Sequence, residues 1–231
     1  MKKLLLSLTM LAIISTPVLA KSPVANLKIN GDIKPPTCTI NGATQRDVIF
    51  DYGVISPTLI PQSTVYSYSD IGVQNTVTIE CDAKTYLTFT ASDTYADTEL
   101  SVNNTSGWFH LVDKANPETA VGAAFFAWDN VTVDSKPAFI SRANDVSITG
   151  KSYNNALYKG PTNGWTSEQQ TSVDKNALAL ISGEIFQASF RQGMTMSTFI
   201  LSKDELSKKG IDLSNGLDFM GEAVLTFNFG V

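Results

Sequence analysis

Histidine is almost missing from this chain: His110 stands alone in 231 residues, and Cys38 and Cys81 are the only cysteines. A metal centre built on several histidines is thereby excluded, and a Ser-His-Asp triad would have to be assembled around His110. Asp113 could orient that ring, but no G-x-S-x-G nucleophile elbow occurs. The plainer reading is a half-exposed histidine on a strand beside Phe109. A pair of glycosidase carboxylates stays open, because such pairs converge only in the fold. No enzyme activity and no cofactor are expected.

Basic residues are also few, 17 against 22 acidic, and they gather into no patch. Nucleic acid is not an expected partner, since neutralising phosphates needs clustered Lys and Arg, and anionic lipid is disfavoured on the same ground. Apolar runs are short. The longest, Leu4 to Ile14, follows Lys2 and Lys3 and precedes Val18-Leu19-Ala20, the order of a secretion signal over residues 1–20. It is too short to span a bilayer comfortably. Removing it leaves 211 residues with 15 basic and 22 acidic side chains, a formal charge of −7.

Export to an oxidising space changes how the two cysteines are read. They are expected to pair, with two free thiols as the alternative. Just before Cys38, the segment L-K-I-N-G-D-I places Leu27, Ile29, Gly31 and Ile33 two apart with polar residues between them, the period of a strand with one buried face. As the first strand of a self-contained sandwich it would need no further explanation.

Further strands are expected over Asp47–Phe50, Thr76–Cys81, Tyr86–Thr90, Glu184–Phe190 and Glu222–Phe229, all rich in β-branched or aromatic residues. Turn formers at Asn41-Gly42, Ser56-Pro57, Asn116-Pro117, Ser135-Lys136-Pro137 and Asn163-Gly164 punctuate them. This pattern predicts an all-β antiparallel sandwich. One short connector helix is expected from Ser202 to Lys209, with Ser202 and Glu205 as a capping box and Gly210 as the left-handed stop. The middle region mixes Trp108, Trp128 and Trp165 with amides and hydroxyls. Such rings either fill a sandwich core, the favoured reading, or form a glycan-contact surface.

The stretch from Leu27 to Ile40 resembles the N-terminal donor strand and first cysteine of chaperone–usher fimbrial subunits. Leu27, Ile29, Gly31 and Ile33 match the donor positions, Cys38 and Ile40 the strand that follows, and Thr76 to Cys81 the strand closed by the second cysteine. Ala223, Leu225, Phe227 and Phe229 resemble the alternating C-terminal strand, although Gly230 replaces the usual penultimate tyrosine. With D-Y-G-V-I-S-P-T at Asp51 to Thr58 and T-A-S-D at Thr90 to Asp93, the chain is most similar to the GltF-like family of exported proteins encoded in fimbrial operons.

That resemblance implies an immunoglobulin-like, pilin-type sandwich over residues 35–231 that lacks its last strand, with a long insertion around 95–175. A donor extension over residues 21–34 would fill a neighbour's groove. Implied partners are a periplasmic chaperone, an outer-membrane usher, neighbouring pilus subunits and, if the aromatics are exposed, a glycan. The implied location is the periplasm and then the fimbrium at the cell surface, with a role in pilus formation and cell adhesion. Ala223, Leu225, Phe227 and Phe229 would line the groove and meet the chaperone.

Overall fold

The computed structural model describes residues 25–68, 73–100, 105–192 and 197–230; the expected signal peptide lies outside them. The chain divides into two units, Met1–Lys34 and Pro35–Val231. In the first unit, residues 25–34 form no regular secondary structure. The strand expected from Leu27 to Ile33 is therefore not formed among the described residues. Alternation supplies a face to bury but no ladder partner, and a strand needs both.

Among the described residues the second unit carries fourteen strands. They begin with β1 (Cys38–Ile40), β2 (Tyr66–Ser67), β3 (Gln74–Thr85), β4 (Leu87–Asp93) and β5 (Trp108–Asp113). The middle of the chain forms β6 (Asn116–Val133), β7 (Lys136–Pro137), β8 (Phe139–Ala143), β9 (Asn163–Thr166) and β10 (Thr171–Val173). Last come β11 (Gly183–Gln192), β12 (Phe199–Ile200), α1 (Lys203–Lys208), β13 (Phe219–Met220) and β14 (Ala223–Phe229). One sheet runs β1-β3-β11-β6-β12-β2, with β5 and β7 also on β6 and β13 on β5; the other runs β10-β8-β9-β4-β14. Described pairings are antiparallel except β10 with β8.

The two sheets form a sandwich because period-two side chains from both meet in one core. Phe186, Ala188 and Phe190 of β11 and Val77 and Ile79 of β3 pack with Leu87 and Phe89 of β4, Ile140 of β8 and Trp165 of β9. Trp165 lies 5.4 Å from Phe89 and 5.5 Å from Phe186, ring centre to ring centre. A second cluster joins Leu111 of β5, Val121 to Ala124 of β6, Phe199 to Leu201 and Leu206 of α1. Residues 95–175 supply β5 to β10, including β6 near the centre of its sheet. Gly122, Ala123 and Ala124 are poor strand formers, which hides β6 from a propensity reading. Gly122 is required there, because a Cβ would collide with the Phe199 carbonyl across the ladder.

Three other expectations need correction. Asp47–Phe50 is irregular, although Val48 and Phe50 pack on the core and the Phe50 ring lies 5.1 Å from Phe126. Asn116-Pro117 opens β6, since proline is tolerated at the first residues of a strand. Asn163-Gly164 is extended within β9, held by pairing to β4 and β8, and glycine suits position 164 because a side chain there would meet Leu180 and Thr88.

The helix forms as expected. Ser202 Oγ accepts from Glu205 N at 3.2 Å, and beyond Lys208 the amides of Gly210 and Ile211 donate to Ser207 and Leu206, a Schellman stop with Gly210 at φ +81°. Arg142, buried on β8, ties down the following loop by donating to Ser152 Oγ at 2.6 Å and to the Tyr153 carbonyl at 3.3 Å. Its guanidinium sits 4.5 Å from the Tyr158 ring centre. Burial pulls its pKa below the usual guanidinium value, and Tyr158 opposes that shift.

Cys38 and Cys81 form a disulfide, facing each other directly across β1 and β3. With the partners 43 positions apart in sequence, the link restricts the unfolded chain by about 4 kcal/mol in the loop-entropy picture. Reduction, or Cys38→Ser with Cys81→Ser, is expected to lower stability by that order in equilibrium denaturation; an unchanged midpoint would refute the assignment of stability to the link. Gly122→Ala is expected to cost at least about 2 kcal/mol through the forced shift of β12, and a wild-type melting temperature would show the approach to be slack.

Candidate functional site

The sandwich is finished differently at its two kinds of edge. β14 closes the second sheet by pairing with β4 alone, in unbroken register from Ala223 opposite Asp93 to Phe229 opposite Leu87. Its other side has no strand partner among the described residues. β1 likewise ends the first sheet, pairing among the described strands only with β3. Open edges of this kind expose a row of backbone donors and acceptors that can template another strand.

The side chains along these edges are incompletely covered. Ala223, Leu225 and Phe227 alternate on β14 and pack against the main core, yet each remains half-buried. Phe227 lies 5.8 Å from Phe89 and 6.5 Å from Trp165, so the strip reaches the deepest aromatic contacts of the sandwich. Cys38 and Ile40 of β1, with Val48 and Phe50, are the same kind of residue, packed on the core but still partly accessible. Both end strands, β1 and β14, thus carry core residues that are only partly covered. Phe229, expected on the same face, is exposed instead and does not pack on the core. The chain end is held separately, with Gly230 N donating to the Tyr86 carbonyl at 2.8 Å and Thr88 Oγ1 donating to the Gly230 carbonyl at 2.6 Å.

In the N-terminal unit, Leu27, Ile29 and Ile33 are 97%, 99% and 103% exposed, and Gly31 has open space around its Cβ position. Three large aliphatic side chains at period two, exposed to water, form an apolar face with nothing against it among the described residues. Covering each is worth roughly 1.5–3 kcal/mol before the ordering cost.

The other candidate residues go elsewhere. Trp128 and Trp165 are buried, and Trp108 packs edge-on against Phe199 at 4.7 Å, so these rings are core material and do not make a glycan platform. His110 is fully buried, not half-exposed as the sequence suggested. Its Nδ1 lies 3.0 Å from the Tyr95 carbonyl, which can only accept, so the proton is assigned to Nδ1. Thr98 Oγ1 is also 3.0 Å away, and Nε2 has no partner among the described residues. Asp113 instead accepts the Ala115 amide at 2.9 Å, so no triad forms around His110.

The carboxylate that sequence reasoning missed is Asp93, buried at the end of β4. It accepts the His110 amide at 3.0 Å and the Tyr95 amide at 2.9 Å, and meets Lys159 Nζ at 3.4 Å. These bonds make it a structural anchor. An open concavity beside the β5–β6 turn brings Asp113, Asp212 and Asp218 into one neighbourhood. Asp212 there caps the Ser214 amide, whose hydrogen bond holds its carboxyl below the ordinary range. Among the described residues no group of three or more His, Cys, Asp or Glu side chains is placed to hold a metal ion, those three aspartates included, and no helix is long and apolar enough to cross a membrane.

A family model described as a protein of unknown function (DUF1120) matches residues 27–125. The match opens on Leu27, the first apolar residue of the alternating extension, and ends within β6, covering less than half of the chain. No curated protein and no solved structure matches.

Because Phe227 is held from one side only, Phe227→Ala is expected to cost about 2 kcal/mol, less than the 3–5 typical of a fully enclosed ring. Phe89→Ala, removing a ring in the closed part of the core, should cost more. Denaturation midpoints of the two variants check this, and equal losses would mean that the β14 strip is as closed as the centre.

Proposed function

We propose that this chain is a fimbrial-type structural subunit that assembles by donor-strand complementation. The observation that carries the reading is the pairing of an exposed, strand-periodic apolar extension with an unpaired β14 edge over half-buried core side chains in the same chain. The resemblance of Leu27–Ile40 to fimbrial subunits, and the disulfide that fixes β1 to β3, support it.

In this mechanism the sandwich leaves the export machinery one strand short. A periplasmic chaperone covers the β14 edge, donating main-chain hydrogen bonds to the open ladder and apolar side chains to the strip around Leu225 and Phe227. At an outer-membrane usher the chaperone strand gives way to the extension of the next subunit. Leu27, Ile29 and Ile33 then fill the strip, and Gly31 sits where the strip is shallow. Backbone bonds supply strength and the alternation supplies register, since a one-residue slip would turn every apolar side chain outward. The product is a fibre at the cell surface with a role in adhesion. Among the described residues no surface aromatic cluster favours a glycan-binding reading in its place.

The test is light scattering after size exclusion on the protein lacking residues 1–20, alone, with the chaperone of its operon, and with a synthetic peptide spanning Leu27 to Ile33. The lone protein is expected to be unstable or to polymerise, and either additive should convert it to a stable one-to-one complex. A stable monomer that ignores both would overturn the reading. Removing residues 21–33 should preserve chaperone binding while ending self-association, and normal fibres from that variant would remove the donor role from the extension.

A further inference from the structure

The chain contains four Asn-Gly pairs, Asn30-Gly31, Asn41-Gly42, Asn163-Gly164 and Asn215-Gly216. In such a pair the backbone nitrogen of glycine can attack the side-chain amide carbon of asparagine, because glycine has no Cβ to hinder the bend into a five-membered ring. The attack requires a side chain free to rotate, a backbone N–H free of hydrogen bonds, and a main chain that can change its dihedrals.

Three of the pairs are restrained. Asn41 accepts the Thr78 amide at 2.8 Å, and its side-chain nitrogen lies 3.4 Å from the Thr76 carbonyl. Asn163 is fully buried, donates to the Pro161 carbonyl at 3.0 Å, and is locked between β4 and β8. Gly216 N donates to the Leu213 carbonyl at 3.1 Å, which closes the 3-10 turn over Leu213–Asn215. Asn30-Gly31 has none of these restraints. Both residues are exposed, neither belongs to a strand or turn, and nothing lies within 4 Å of the Gly31 Cβ position.

We propose that Asn30-Gly31 is a site of spontaneous covalent modification, and that this chemistry limits how long an unassembled chain can act as a donor; the second clause rests on the donor-strand reading above. Gly31 N loses its proton to hydroxide and bonds to Asn30 Cγ. The bond from Cγ to the amide nitrogen breaks, and ammonia leaves with a proton from water. A second water then opens the succinimide at either carbonyl, giving an aspartyl or an isoaspartyl linkage. No oxidant or other reactant is needed.

The isoaspartyl product routes the main chain through the former side chain and so adds one methylene between Ile29 and Ile33. That breaks the period-two alternation, and the apolar side chains on either side of the link can no longer face the same way. Both products also place a carboxylate in the middle of the segment. Pairing into a sheet would engage Gly31 N and fix the dihedrals, so an assembled extension is protected while a free one ages.

The test is peptide mapping by mass spectrometry, with isoaspartate detection, after timed incubation of the native mature protein at mildly alkaline pH. Modification at Asn30 is expected to outpace that at Asn41, Asn163 and Asn215 several-fold, and Asn30→Gln should abolish it. In denaturant the four sites should converge. Equal rates in the native protein would overturn the site. Synthetic extension peptides with asparagine or an isoaspartyl linkage at position 30 are then added to fresh mature protein, and the stable complex is measured. Weaker capture of the isoaspartyl peptide by an order of magnitude supports the loss of competence, and equal capture overturns it. Capture of neither peptide would overturn the donor-strand reading itself while the mass-spectrometric result on Asn30 stood.

Discussion

The structure depends on one backbone approach, that of β6 to β12 at Gly122. β6 is long enough to serve two cores: its first half lies between β5 and β12 over the cluster that includes Leu206 of α1, and its second half pairs with β11 over the main sandwich core. Only small side chains let the first half fit. Gly122, Ala123 and Ala124 admit Phe199 and Ile200 against the strand, and Trp128 and Val133 then fill the wider space further along. A larger residue at 122 would push β12 away and open the helix-bearing cluster, because close-packed interiors transmit such shifts.

Against that centre, the strand order leaves β1 and β14 at the ends of their sheets. The consequence is a gradient of burial. Phe89, Trp165 and Phe186 are enclosed from every side, whereas Phe227, Leu225 and Ile40 touch the same core and still meet solvent. A folded domain with a fully satisfied sheet has little reason to leave an alternating terminal strand in that condition. In the proposed function, the alternating apolar segment of the N-terminal extension would supply matching chemistry to a neighbouring copy: backbone for backbone, and aliphatic side chains for a half-covered strip.

Much of this was legible before the structure. The strands around Cys81, Phe89, Phe186 and Leu225 announce themselves through alternation and β-branching, and the helix after Ser202 through its cap and Gly210. β6 was not legible, since glycine and alanine score poorly as strand formers and their presence reflects a neighbour that sequence does not display. β9 was hidden by Asn163-Gly164, a pair that ordinarily marks a turn but is here held extended by two flanking strands. In the opposite direction, Asp47–Phe50 has strand-like composition and packs on the core without joining a ladder. The alternating strip on β14 was readable from sequence as far as Phe227. The exposure of Phe229 was not, because it follows from where the sandwich ends. The roles of Asp93 and His110 were equally invisible, being set by amides and carbonyls brought together only by folding.

The position of the disulfide carries a mechanical consequence. β1 is a strand of three residues, and a ladder that short would unzip readily if pulled from its end. It is also the first strand reached from the N-terminal extension, through Lys34-Pro35-Pro36-Thr37. The link from Cys38 to Cys81 passes any tension on the extension across to β3, a twelve-residue strand paired with β11 from Gln74 to Glu80. A load applied to the thinnest edge of the domain is thereby borne by the broad sheet behind it, through a covalent bond in place of a few hydrogen bonds.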